Sequence, residues 1–209
     1  MTRPVKRQQG FTIIELMIAL SFVAFILIFA TTAVIQVMQT YNKGVAIKQI
    51  NQAGRTTLED VTRFLRTADP GAVNVSPLTT NRRACFGGIS YVWNLYNTPG
   101  SSANRYDDGS ALTFVRVNDA ANAMCTQSGG VYPAVPKAQA TDILSSNVWV
   151  MSIAISAPSV DAPLVDVSIN LAVANDPTIS SGQCTQGERA GQFCATSSFS
   201  STVMTGGGN

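Results

Sequence analysis

Apolar and polar positions divide the chain into three textures. From Phe11 to Met38 there are 28 residues, nearly all apolar, among which Glu15 is the only one with a formal charge. A run of this length predicts a helix able to cross a bilayer, for which about 20 apolar residues suffice. From Gln39 the pattern is mixed, and apolar or small residues recur at Ile47, Ile50, Gly54, Leu58, Val61, Leu65 and Ala68. Steps of three and four are a helical stripe, and Asp69-Pro70-Gly71 is a sound stop. One helix over Phe11–Ala68 would measure about 87 Å at 1.5 Å per residue, with its first half bare and its second half packed on one side. Gly44 and Gly54 each cost about 1 kcal/mol relative to Ala, and Gly44 is where a bend would be easiest.

After Pro70 the pattern turns to alternation. Val165, Val167, Ile169, Leu171 and Val173 share one parity, opposite Asp166, Ser168 and Asn170, as in a half-buried strand. Met151, Ile153 and Ile155 make a similar face within Asn147–Ser156. Ser90–Tyr96, Ala111–Val117 and Gln192–Val203 are further strand candidates, with 69–89 as the connection from helix to sheet and 97–110 and 118–146 as loops. An antiparallel sheet laid on the helical stripe buries both apolar faces at once. The expected fold class is α+β, divided into an apolar helix at 11–38, its amphipathic half at 39–68 and a β-rich head at 69–209.

Composition sharpens this picture. Charged residues are 12% of the 209 positions, against roughly 25% in soluble proteins, and the head is rich in Ser, Thr, Asn and Gly, the texture of an extracytoplasmic domain. Arg3, Lys6 and Arg7 carry +3 before the apolar run, and the rest of the chain has 11 basic and 12 acidic residues, net −1. A nucleic-acid surface would need a concentrated basic patch, and the doublet Arg82-Arg83 reads as a solvated loop. The chain has no histidine, and Cys85, Cys125, Cys184 and Cys194 have no C-x-x-C spacing, so zinc is poorly supported. In an exported head these four make two disulfides; of three possible pairings, Cys85 with Cys125 and Cys184 with Cys194 joins sequence neighbours.

A basic start before a long apolar run admits three readings. A secretory signal peptide has an apolar region of about 7–15 residues, and this run is nearly twice that. A plain single-pass anchor, oriented N-terminus inward by its basic flank, leaves Glu15 unexplained, because a charge at the bilayer centre costs about 2.5–3.5 kcal/mol. The third reading rests on Gly10-Phe11-Thr12-Ile13-Ile14-Glu15-Leu16. A basic leader ending in Gly, followed by Phe-Thr-x-x-Glu at the head of an apolar helix, resembles the N-terminus of type IV pilins and pseudopilins.

The resemblance implies a type IV pilin-like fold, a leader at 1–10 cut by prepilin peptidase between Gly10 and Phe11, and N-methylation of Phe11. It further implies that Glu15 pairs with the N-terminal amine of a neighbouring subunit during assembly, fixing the axial register of the helices. Two charges that are each costly in an apolar medium are tolerable as a pair. The implied partners are other pilin subunits, prepilin peptidase and an inner-membrane assembly platform, with the protein held in the cytoplasmic membrane, head outside, before joining a surface or periplasmic filament. The bracketing of a C-terminal loop by Cys184 and Cys194 is also similar to the family.

No catalytic arrangement emerges from the residues. Without histidine there is no Ser-His-Asp or Cys-His pair, there is no phosphate-binding Gly-rich loop, and Asp107-Asp108-Gly109 is turn chemistry, with calcium at those carboxylates a minor alternative. Tyr91, Trp93, Tyr96 and Trp149 lie in strand patterns as packing residues. The chain is therefore expected to be a non-enzymatic, minor pilin-like subunit without cofactor, metal or small-molecule substrate. The alternatives are a minor pseudopilin of a type II secretion system, a DNA-uptake component, and a membrane-tethered binding domain that never polymerises.

Overall fold

Helix α1 spans Ile13–Thr67, 55 residues, in a computed structural model that describes residues 10–75, 82–96, 104–156, 163–173, 179–180, 183–184 and 194–206. The leader up to Gln9 lies outside the described residues. The chain divides between Asn42 and Lys43 into two units, so the amphipathic half of α1 belongs with the head. In the N-terminal unit the large apolar side chains from Phe11 to Met38 are exposed.

In the second unit, α1 buries Ala46, Ile50, Gly54, Thr57, Val61, Thr62 and Leu65. The covered arc is turned toward Ala46 and Thr57, so Ile47, expected in the stripe, is 43% exposed. The helix ends where expected. Asp69 Oδ1 accepts from the Gly71 amide at 3.0 Å and caps the short 3-10 turn Pro70–Ala72.

The strands are β1 (Asn74–Val75), β2 (Arg83–Phe86), β3 (Ile89–Trp93), β4 (Phe114–Asn118), β5 (Ala140–Asp142), β6 (Val148–Ile155), β7 (Leu164–Val173), β8 (Ile179–Ser180), β9 (Gln183–Cys184) and β10 (Ala195–Met204). They form an antiparallel sheet β1-β2-β3-β4-β5, a second sheet β10-β7-β6, and the small pair β8-β9. The larger sheets meet where the Tyr96 amide donates to Val150 O at 2.9 Å. Both press on α1: Ile50, Val61 and Leu65 share one core with Phe86, Tyr91, Trp93 and Phe114 of the first sheet and Val150, Ile169 and Leu171 of the second.

Three expectations need correction. Residues 69–89 are not merely a connection, because they contain β1 and β2, and β2 pairs with β3 through the two-residue turn Gly87-Gly88. Both glycines have positive φ, 60° and 75°, as primed hairpin turns require. Next, the stretch 118–146 contains β5. Finally, Met151 does not share a face with Ile153 and Ile155. The ladder pairs Val150 with Leu171 and Ser152 with Asn170, so Met151 is the extra residue of a bulge. The buried set changes parity there, from Val148 and Val150 to Ile153 and Ile155.

The doublet Arg82-Arg83 is also not a solvated loop, since the two residues are only 8% and 3% exposed. The first sheet is covered on both faces: α1 on one side, and on the other a second cluster of Val92, Tyr106, Leu112, Val115, Val117 and Val135. Arg83 faces that outer layer. It donates to Met124 O at 2.9 Å and Asn104 Oδ1 at 3.0 Å and lies 5.0 Å from the centre of the Tyr132 ring. Burial pulls its guanidinium down to about 10.

Candidate functional site

Gly10 is exposed, and a Cβ built on it meets nothing within 4 Å, so the Gly10–Phe11 bond is open to a peptidase. Phe11 is 88% exposed. Helical structure begins two residues later, at Ile13, with Thr12 in the N-cap position and Glu15 third in the helix.

Thr12 and Glu15 are bonded reciprocally. Glu15 Oε2 accepts from the Thr12 amide at 3.0 Å and from its hydroxyl at 2.8 Å, while the Glu15 amide donates to Thr12 Oγ1 at 3.4 Å. This is a capping box, which satisfies amides that a helix start leaves without partners. Sequence reasoning placed Glu15 in the site but missed Thr12, although Thr-x-x-Glu before an apolar run is the capping-box signature. The arrangement turns the carboxylate back over Thr12, one residue beyond the Gly10–Phe11 bond. Both bonds to this carboxylate end on Oε2, and Oε1 accepts none among the described residues.

The apolar helix beyond this cap ties its side-chain hydroxyls to its own backbone. Ser21 Oγ donates to Met17 O, Thr31 Oγ1 to Leu27 O and Ile28 O, Thr32 Oγ1 to Phe29 O, and Thr40 Oγ1 to Gln36 O, at 2.8–3.0 Å. Hydroxyls bonded to carbonyls one turn back carry no unmet donor into hydrocarbon. The helix is long and apolar enough to cross a membrane, and Glu15 is its lone charge before Lys43.

In the head, Cys85 and Cys125 form a buried disulfide across 40 residues. Asp119 positions the turn that delivers Cys125, accepting from the amides of Ala123 and Met124 at 2.9 and 2.8 Å and from Ser90 Oγ at 2.7 Å. Burial opposes its ionisation, but these bonds outweigh burial and hold the Asp119 carboxyl below its usual range. Cys194 is also disulfide-bonded, while the side chain of Cys184, its expected partner, lies outside the described residues.

At Asp107 and Asp108 a protein cation already stands. Lys137 Nζ lies 2.6 Å from Asp108 Oδ2 and 3.2 Å from Ser110 Oγ, over the Tyr106 ring. Bonds from Lys137 and Ser110 hold Asp108 far below the ordinary carboxylate range, and Asp108 raises the Lys137 ammonium in turn. Tyr91 and Trp93 are core residues, each 1% exposed, and Tyr96 meets Trp149 edge-on at 5.6 Å. Tyr91 OH donates to Asp60 Oδ2 at 2.9 Å, and Arg116 pairs with the other oxygen of the same carboxylate, tying sheet to helix.

Neither the comparison with curated proteins nor that with solved structures gave a match. The family model of the prokaryotic N-terminal methylation motif matches residues 5–31, a span that holds Gly10, Phe11, Thr12, Glu15 and most of the exposed apolar helix. The chain thus carries, at the head of a long helix joined to an antiparallel-sheet head, the prepilin cleavage and methylation motif of type IV pilins and pseudopilins.

Proposed function

We propose that the chain is a minor structural subunit of a type IV pilus, without enzymatic activity. Prepilin peptidase cuts between Gly10 and Phe11, Phe11 is N-methylated, and the head faces outward while Phe11–Met38 holds the chain in the cytoplasmic membrane. The assembly platform then transfers it into a surface filament through its N-terminal helix. The loop-rich head favours a low-copy role.

The observation that carries this reading is the bare helix. Eighteen large apolar side chains between Phe11 and Met38 are exposed, and covering them is worth roughly 30–50 kcal/mol at about 1.5–3 kcal/mol each. Lipid supplies that cover before assembly and neighbouring helices supply it afterwards, so the transfer is close to neutral for the apolar surface. What distinguishes the two environments is Glu15, whose charge gains a partner only in the filament.

The capping box makes this testable. Glutamine serves as well as glutamate at the third position of a capping box but cannot pair with an ammonium. Glu15→Gln and Glu15→Ala should both leave insertion and cleavage intact and reduce the amount of protein in sheared filaments. Full incorporation of Glu15→Gln with loss for Glu15→Ala would reduce Glu15 to a helix cap. The mass of the mature N-terminus, expected to be N-methylated Phe11, checks the processing step independently.

A further inference from the structure

Among the described residues the head has one long open sheet edge. The first sheet ends on the short strands β1 and β5, and β6 is broken by its bulge and met by Leu95 and Tyr96. Strand β10 forms an edge of the second sheet and pairs with β7 from Ala195 to Met204 without a register shift. The Thr205 amide donates to Pro163 O one step beyond the Met204–Leu164 pair, so odd-numbered residues of β10 bond to β7 and even-numbered ones turn N–H and C=O the other way. Gly206, even-numbered, accordingly donates to Ala68 O. The outward backbone groups of Thr196, Ser198, Ser200, Thr202 and Met204 have no partner among the described residues. Strand β9 comes near β10 but pairs with β8 alone.

Natural edges of this kind carry charges, prolines or bulges that stop a further strand from pairing. Strand β10 has none of them: it reads Ala-Thr-Ser-Ser-Phe-Ser-Ser-Thr-Val-Met. Within it, Thr196-Ser197-Ser198-Phe199-Ser200-Ser201-Thr202 is the same in both directions, so a second β10 laid antiparallel across the edge meets like with like. With Phe199 opposite Phe199, Ser198 falls against Ser200, Ser197 against Ser201 and Thr196 against Thr202. The even-numbered pairs are then the bonded ones and supply about eight backbone hydrogen bonds. The two Phe199 rings, half-buried in a single copy, meet at the closer, non-bonded position, and aromatic and Ser/Thr pairs across strands are favourable.

We infer that β10 pairs with β10 of a second copy in this register, joining two three-stranded sheets into one. The contact is isologous and closes as a dimer. The two-fold axis of an antiparallel strand pair stands perpendicular to the sheet, and the half of α1 that belongs with the head packs on the inner face of that sheet. The axis therefore reverses α1, and the two helices leave the pair in opposite directions. Copies side by side in one membrane have parallel helices and cannot pair in this way. On the reading of Phe11–Met38 as the anchor, the contact forms in trans, between copies on two facing surfaces. It needs one copy on each, in keeping with a low-copy subunit.

The full chain in detergent, weighed by sedimentation together with its bound detergent, should be a dimer carrying two micelles, whereas helices associating through their apolar halves would share one. Ser198 and Ser200 are exposed, so Ser198→Lys with Ser200→Lys leaves the core alone while setting lysines opposite one another. This variant should weaken the dimer at least about ten-fold, and mixing it with a chain carrying Ser198→Glu and Ser200→Glu should restore a mixed dimer. Mild oxidation should link Ser198→Cys in one tagged copy to Ser200→Cys in another, where the Cα atoms lie about 5.5 Å apart, and should link two Ser198→Cys copies far less. Liposomes carrying the chain with heads outward should cluster, and the lysine variant should leave them dispersed. A chain monomeric up to about 100 μM, a dimer that shares one micelle or ignores the lysines, or linkage in another register would overturn the inference. Each of those results leaves the filament reading in place, whereas a mature N-terminus other than Phe11 defeats that reading and leaves the β10 pair to the measurements in detergent.

Discussion

Gly54→Ala sets two effects of opposite sign against each other. In an open helix interior the exchange stabilises by about 1 kcal/mol, and Gly44, where an added methyl meets nothing within 4 Å, is the internal reference. At Gly54 the same methyl would lie 2.1, 2.3 and 2.4 Å from Cε2, Cζ and Cδ2 of Phe199, whereas carbon contacts are favourable at about 3.5–4.0 Å. The ring must retreat by more than about 1 Å, yet the Phe199 backbone pairs with Ile169 in the middle of a ten-residue ladder. Overpacking costs about 1–3 kcal/mol, and three ring atoms so close place this case at the upper end. The net loss is then about 2 kcal/mol after the gain in helix propensity, a fall in Tm of roughly 4–8 °C for a chain of this size. Thermal unfolding of the full chain in detergent, followed by the fluorescence of buried Trp93, measures it. Gly44→Ala should be neutral or stabilising in the same assay. In a Phe199→Ala background, Gly54→Ala should change sign and stabilise. If Gly54→Ala alone matched or exceeded the wild type, the close seating of Phe199 on the helix would be refuted.

Asp119→Asn should destabilise the head at pH 7, and the difference from wild type should close as pH falls. The folded pKa of Asp119 is depressed, so its contribution is present above the unfolded value of 3.8 and is lost as pH drops through the folded one; urea titrations between pH 2 and 7 check it. Removing the Cys85–Cys125 disulfide by paired alanines should cost about 4 kcal/mol on a chain-entropy basis for a loop closed across 40 residues, read from the urea midpoint. Asp60→Ala strips the acceptor from the buried Tyr91 hydroxyl and from Arg116 and should cost about 2–4 kcal/mol, against about 1 kcal/mol for Tyr91→Phe. Because Lys137 Nζ stands 2.6 Å from Asp108, calcium and EDTA should leave the melting temperature unchanged, whereas Lys137→Met should lower it.

How legible each feature was depends on where its neighbours come from. The helix, expected over Phe11–Ala68 and found at Ile13–Thr67, was written in local periodicity, as was β7, whose one face joins the core on α1 while the other stays outside it except at Ala172. Strand β2 was hidden because its outer face is covered by residues some forty positions away, held there by Cys125. With both faces buried, alternation disappears, and Arg83 looks exposed until Met124 O, Asn104 and Tyr132 arrive around it. Gly54 looked like a defect for the same reason, since Phe199, which needs the space, is 145 positions away. Thr12 is the opposite case: its partner is three residues off and the motif was readable, but the search for a distant charge to explain Glu15 passed over the nearest polar group. The capping box and the charge pairing are not rivals. A carboxylate held by Oε2 against Thr12 is already ordered, so on the proposed filament reading less side-chain freedom is lost when Oε1 meets a neighbour's amine. Thr12→Ala should therefore weaken incorporation less than Glu15→Ala does, by loosening the carboxylate without removing it, and equal loss in the two variants would mean that the cap, and not the charge, is what assembly requires.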